Sequence, residues 1–183
     1  MQVISGKYSG RKLQSVPTDK TRPTLARVKE SMFDIINPYI AGRTVLDLFA
    51  GSGALGIECL SRGAKKVVFV DLQPESIKTI KRNLRNFADD TELVEAEFED
   101  ALHKFSKQGK KFDLVLLDPP FDSEYIERAL YLLHKNNLLE NGTIVLAEMN
   151  SKKLLQNYPQ KYIIIKERNY GTVAIKVFEY NKG

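Results

Sequence analysis

An α/β fold built on a seven-stranded, mostly parallel sheet is the architecture this sequence predicts. From residue 44 onward, short apolar runs alternate with amphipathic stretches of helical period. The runs are nearly continuous in Val, Leu, Ile and Phe, as in strands covered by helices on both faces. Only a turn holding Asn169 and Gly171 separates the last two runs, which makes the C-terminal strand antiparallel.

Residues 1–16 read as a small N-terminal β-hairpin. Val3 and Ile4 lead into Ser5–Gly10, and Leu13 and Val16 resume the apolar pattern. Pro17–Thr21 is a polar connector. A helix starts near Pro23-Thr24, lines up Leu25, Val28, Met32 and Ile35/Ile36, and stops before Pro38. Thr44–Phe49 is the first buried strand, followed by a Gly-rich turn and a helix carrying Leu55, Ile57 and Leu60. Lys66–Val70 precedes a helix over Pro74–Phe87 with Ile77, Ile80 and Leu84 inward. Leu93–Ala96 precedes a helix over 98–106, and Asp113–Leu117 one over 123–134. Thr143–Ala147 with a short helix near 151–157 is the fifth βα unit, and Tyr162–Lys166 and Thr172–Tyr180 close the chain. Residues 1–22 form a basic arm and residues 23–183 the main domain.

Composition excludes several classes. The chain has 183 residues, enough for one well-cored domain. No apolar run approaches the roughly 18 residues of a membrane span, and Met1 opens a mixed polar stretch in place of a signal peptide. One Cys, Cys59, allows no disulfide framework, and with two His it leaves no zinc cluster, so no metal is expected. A reducing, cytoplasmic setting follows. The net charge is +5, and residues 1–30 hold seven bases against two acids. All the excess positive charge therefore sits in residues 1–30, which contain the arm, a local site for a polyanion. Its candidate phosphate contacts are Lys7, Arg11, Lys12, Arg22 and Arg27. Arg22 has a rival role, pairing with a carboxylate near the cofactor.

Ligands of open α/β sheets gather at the carboxyl ends of the strands. After the first strand comes Asp47-Leu48-Phe49-Ala50-Gly51-Ser52-Gly53-Ala54-Leu55-Gly56. Glycines 51 and 53 permit a sharp turn and a close approach to a ligand where a Cβ would intrude. Asp47, Phe49, Ala50, Gly51, Ser52 and Gly53 are candidate cofactor contacts. Asp71, ending the second strand beside Leu72, can accept hydrogen bonds from a ribose diol. Glu97 and the Phe98 backbone follow the third strand where an adenine edge can lie; Asp100 can serve instead.

The fourth strand ends in Asp118-Pro119-Pro120-Phe121, the sharpest signal in the chain. Two prolines remove two backbone donors and stiffen the chain, leaving carbonyls as acceptors. The Asp118 carboxylate and the Pro119 carbonyl can take both hydrogens of an exocyclic amine while Phe121 packs on its ring. Such bonds draw the nitrogen lone pair out of conjugation and aim it at an electrophile.

Together, Asp47–Gly53 and Asp118–Phe121 resemble class I S-adenosylmethionine-dependent methyltransferases that modify exocyclic amines. The closer resemblance is to the bacterial guanine-N2 methyltransferases of 16S ribosomal RNA. It extends through Ile4-Ser5-Gly6, Gly10–Leu13, Arg22-Pro23-Thr24, Arg27–Phe33, Leu46–Glu58, Leu60–Ala64 and Tyr170-Gly171. It implies a Rossmann-like class I methyltransferase fold and S-adenosyl-L-methionine as cofactor, leaving as S-adenosyl-L-homocysteine. It further implies a guanine of 16S rRNA as substrate, presented by an assembled or assembling small ribosomal subunit to a monomeric enzyme. Asp118, Pro119, Pro120 and Phe121 are the implied catalytic set, with Asp118 also touching the cofactor.

Two other classes compete. A nicotinamide oxidoreductase fits GxGxxG and Asp71 but leaves Asp118–Phe121 unused. A non-catalytic RNA-binding module needs neither the Gly-rich turn nor an amine pocket. Within methyltransferases, adenine N6 and a glutamine amide are compatible with Asp118–Phe121, and only the N-terminal segments favour ribosomal RNA.

Overall fold

The computed structural model describes residues 1–16, 23–85, 87–120 and 123–183. Its centre is one seven-stranded sheet in the order β3-β2-β1-β4-β5-β7-β6. The strands are β1 (Thr44–Asp47), β2 (Lys66–Asp71), β3 (Asp90–Glu95), β4 (Phe112–Leu117), β5 (Leu139–Asn150), β6 (Tyr162–Tyr170) and β7 (Val173–Tyr180). β1 to β5 run parallel, and β7 inserts antiparallel between β5 and β6.

Both faces are buried, as the unbroken apolar runs require. Val45, Val67, Phe69, Leu114, Leu116 and Leu146 face α1 (Pro23–Ile36), α2 (Ala54–Ser61) and α3 (Pro74–Asn83). The alternate residues Leu46, Val68, Val115, Leu117 and Val145 face α4 (Phe98–Lys107) and α5 (Ser123–Lys135). Among the described residues, no helix is long and apolar enough to cross a membrane.

Two expected elements differ. The expected N-terminal hairpin is reduced to a loop over residues 1–16 with one antiparallel bridge, between Gln2 and Lys12, and no regular strand. Backbone bonds of 2.9 Å cross it from the amides of Val3, Gly10 and Leu13 to the carbonyls of Arg11, Val3 and Met1, and further bonds tie it to the body of the protein. The expected helix near 151–157 is absent, so β5 leads to β6 through turns. The amides of Gln156 and Asn157 bond to the Glu127 carboxylate instead of to a helical carbonyl, and Leu154 is exposed while Leu155 packs against the core.

The N-terminal loop is tied down by α2. Glu58, fully buried, accepts the amides of Ile4 (2.8 Å) and Ser5 (3.0 Å) and pairs with Lys29 (3.1 Å) and Arg62 (2.9 Å). Burial alone would push this carboxyl up; the Ile4 amide, Lys29 and Arg62 outweigh it and hold it below its ordinary range. One turn on, the Ser61 hydroxyl accepts the Tyr8 amide (2.9 Å) and the Ser61 carbonyl accepts that of Lys7 (2.8 Å). Gly6 has a φ of +85° and passes so close that a Cβ would lie 1.9 Å from the Ser61 carbonyl oxygen. Val3 and Leu13 join the apolar cluster of α1, α2 and α3.

Glu58→Ala should therefore destabilise the protein by about 3–5 kcal/mol, because it strands two buried cations and two amides. Urea unfolding measures the loss, and trypsin should cut the variant first at Lys7 or Arg11. An unchanged midpoint with a protected N-terminus would contradict this anchoring.

Candidate functional site

The sheet order reverses at β1. The chain steps outward through β2 and β3, then returns to place β4 on the other side of β1; the carboxyl ends of β1 and β4 are where an open α/β sheet has its ligand crevice. Into it run the turn before α2 and the residues after β4.

The turn is fixed by hydrogen bonds at every step. The amides of Leu48 and Ala50 bond to the carbonyls of Leu116 (3.2 Å) and Val70 (2.9 Å), and Gly53 donates back to Ala50 (2.7 Å). Gly51 and Gly53 sit at φ +52° and +78°, a region that favours glycine. The two glycines serve different ends. A Cβ on Gly51 would meet nothing within 4 Å, so the backbone there fronts open space, as a ligand cradle requires. A Cβ on Gly53 would lie 3.1 Å from Ile80 Cγ1 and 3.4 Å from Phe69 Cε1, facing the core and not the ligand. The expected intrusion on a ligand thus applies to Gly51; Gly53 is small for packing.

Asp71 ends β2 with its carboxylate held by two amides, Gly51 on Oδ2 and Gln73 on Oδ1, each at 2.8 Å. Each oxygen keeps acceptor capacity for a further donor such as a diol. Leu72 beside it is exposed and apolar. Asp47 points inward, accepting the Gly56 amide at 2.9 Å. Burial, with Asp118 and Asp71 adding repulsion, pushes its carboxyl up to about 7 against the opposing Gly56 bond. Ser52 is buried, its carbonyl taking an N–H from Asn83.

Glu97 is exposed at the start of α4 and makes no capping bond there. Asp100, one turn into the helix, is exposed too, so both acids can reach a ligand edge. Phe98 is buried and packs on Phe49 with ring centroids 5.2 Å apart. After β4, Asp118 is exposed, Pro119 buried and Pro120 exposed. Phe121 and Arg22 lie outside the described residues.

Of the candidate RNA contacts, Lys7 is engaged by Asp89, which also accepts the Tyr8 hydroxyl. Arg11 is half-buried, while Lys12 and Arg27 are exposed.

Two site residues went unread in the sequence. Tyr125, in the first turn of α5, completes an aromatic trio with Phe49 (6.2 Å) and Phe98 (5.9 Å). Its signal was its place four residues after Phe121. Glu148 stands on β5 level with Asp118, since Leu117 pairs with Ala147. The strand-end rule that selected Asp71 and Asp118 would have found it had the strand been followed one residue beyond Ala147. Burial, with the Asp118 charge adding, raises its carboxyl to about 8.

The family described as "Conserved hypothetical protein 95" matches residues 1–179. The chain belongs to this family. Ribosomal RNA small subunit methyltransferase D of Haemophilus influenzae is 37% identical over 98% of this chain and 93% of its own length. The protein of that name in Escherichia coli is 29% identical over 98% of this chain and 89% of its own. A solved Escherichia coli chain, yhhF, superposes with a TM-score of 0.89 at 30% identity, covering 100% of this chain and 99% of the other. The fold is thus the family's fold, and the seven-stranded, mostly parallel sheet with an antiparallel C-terminal strand is found as expected.

Glu148 makes pH a probe of the site. Unfolded, it ionises near 4.5; folded, near 8. Between these values the native state holds a proton that the unfolded chain has released, so this group subtracts stability as pH rises. Glu148→Gln removes that slope. The melting temperature of the variant should gain on the parent between pH 5 and pH 8, by about 2–4 °C per kcal/mol. A constant difference across that range would show that Glu148 does not titrate there.

Proposed function

We propose that this protein transfers the methyl group of S-adenosyl-L-methionine to the exocyclic N2 of a guanine in 16S rRNA. It acts as a cytoplasmic monomer on an assembled or assembling small ribosomal subunit, with the basic N-terminal segment on the RNA. The relatives named as small-subunit rRNA methyltransferases support the substrate class.

The observation that carries the cofactor reading is the charge of the crevice. Asp71 and Asp118 both raise the Asp47 carboxyl, so three acids converge around the Gly-rich turn. A nicotinamide dinucleotide would bring its pyrophosphate to the start of α2, against those carboxylates. A sulfonium and an ammonium are attracted there instead. The residues fit: Gly51 leaves open space over the turn, Asp71 offers acceptors to a diol, and Leu72 offers an apolar surface. Glu97 or Asp100 would meet the adenine edge beside the Phe98 backbone.

The bound cofactor supplies a methyl already activated by positive sulfur. Asp118 and the Pro119 carbonyl hold the two hydrogens of the guanine amine, turning its lone pair toward that methyl. With the cofactor bound, the N–C bond would form as the C–S bond breaks, the electron pair leaving on sulfur, and the amine would give up one proton to solvent, directly or by way of Asp118. Asp118 offsets the positive charge that develops on nitrogen meanwhile. Phe121 packs on the base, which must leave its stack to reach the crevice.

Asp118→Ala should slow single-turnover methyl transfer about 10²–10³-fold, with cofactor affinity little changed by calorimetry. Asp71→Ala should weaken cofactor binding by about 1–3 kcal/mol. Transfer at the parent rate in the Asp118 variant would refute amine methylation by this motif.

A further inference from the structure

A second basic element lies outside the N-terminal segment. Arg82 and Arg85, near the end of α3, come together with Arg11 and Lys12 around a hollow of about 420 Å³ whose remaining walls are Gln14 and Asn83. No carboxylate lines it, and among the described residues none of these four cations has an ion-pair partner. Four like charges around one hollow attract a polyanion.

The hollow is built. Arg11 donates to the Arg85 carbonyl (2.8 Å) and lies over the Phe87 ring at 4.3 Å, which sets its guanidinium in place before any ligand arrives. Tyr8 packs on the same ring with centroids 4.1 Å apart, so Phe87 is covered on both counts and offers no platform to a nucleobase. The volume is more than ten times the roughly 30 Å³ of a liquid water, room for more than one hydrated phosphate.

The floor connects to the cofactor turn. Asn83 is buried, accepts the Gln14 amide (2.8 Å) and donates to the carbonyls of Gln14 (3.0 Å) and Ser52 (2.9 Å). One side chain therefore binds the wall of the hollow to the residue between Gly51 and Gly53. A strand held in the hollow is held in fixed register with the crevice.

We propose that Arg11, Lys12, Arg82 and Arg85 form a seat for consecutive phosphates of the substrate RNA, placed relative to the methyl-transfer crevice by Asn83. This rests on the reading of 16S rRNA as substrate. It adds Arg82 and Arg85, which carry no part of the cofactor site, and it makes the contact one to backbone and not to bases.

The test uses the full chain, naked 16S rRNA and unmodified small subunits. Arg82→Glu with Arg85→Glu should weaken 16S rRNA binding at least ten-fold near physiological salt. The slope of log affinity against log salt should fall in magnitude by about 0.7–0.9 for each phosphate that is no longer neutralised. KM for small subunits should rise while cofactor affinity, by calorimetry, stays at the parent value. Arg82→Gln with Arg85→Gln should show the same slope change in milder form, which separates removal of positive charge from added repulsion. Parent affinity and slope in both double variants, with methylation of 16S rRNA intact, would overturn the seat and leave the proposed activity standing. A parent protein that methylates no 16S rRNA would overturn the activity, while the salt slope would still report on the seat.

Discussion

Helix α2 lies against the sheet at a distance that only glycine permits, and the rest of the molecule is arranged around that seating. A Cβ on Gly56 would fall 2.3 Å from Phe69 Cε1 and 2.9 Å from Val67 Cγ1, inside the van der Waals limit of a buried aromatic. The Gly56 amide meanwhile bonds to the buried Asp47 carboxylate, fixing the helix lengthwise as well as in height. Two consequences follow from one short element. Its leading end fixes the Gly51–Gly53 turn, and its trailing end presents Glu58 and Ser61 to the N-terminal loop. Cofactor crevice and basic segment are thereby two ends of the same eight-residue helix.

The crevice is costly to fold. Asp47 and Glu148 are carboxyls raised by burial and by their acidic neighbours, and each penalises the native state once ionised in the unfolded chain. Burial is the larger cause in both, with the neighbouring acids adding to it. Cys59, the one sulfur nucleophile in the vicinity, is fully buried, and burial pushes its thiol up, leaving it a packing residue.

How legible the protein was depended on whether the signal was local. β2 and β4 reveal themselves because burial on both faces leaves no polar interruption, and their ends therefore locate Asp71 and Asp118. Glu58 gave little such signal: the two amides it accepts lie more than fifty residues earlier, and its pairing with Arg62 four residues on reads as an ordinary exposed helix pair. Gly53 and Gly56 were visible as glycines, yet which neighbour each one avoids depends on Phe69 and Ile80 in three dimensions. The absent helix near 151–157 shows the converse failure. Its polar amides were claimed by Glu127, a residue on α5, and local propensity had no means of anticipating that.

The methylated nucleoside is the most direct test of guanine-N2 transfer. Unmodified small subunits, naked 16S rRNA and DNA are each incubated with the protein and tritiated S-adenosylmethionine, then digested to nucleosides and separated. Tritium in N2-methylguanosine from 16S rRNA, with none from DNA, is the expected result. Label in N6-methyladenosine, in protein, or in no nucleoside of the rRNA would contradict it.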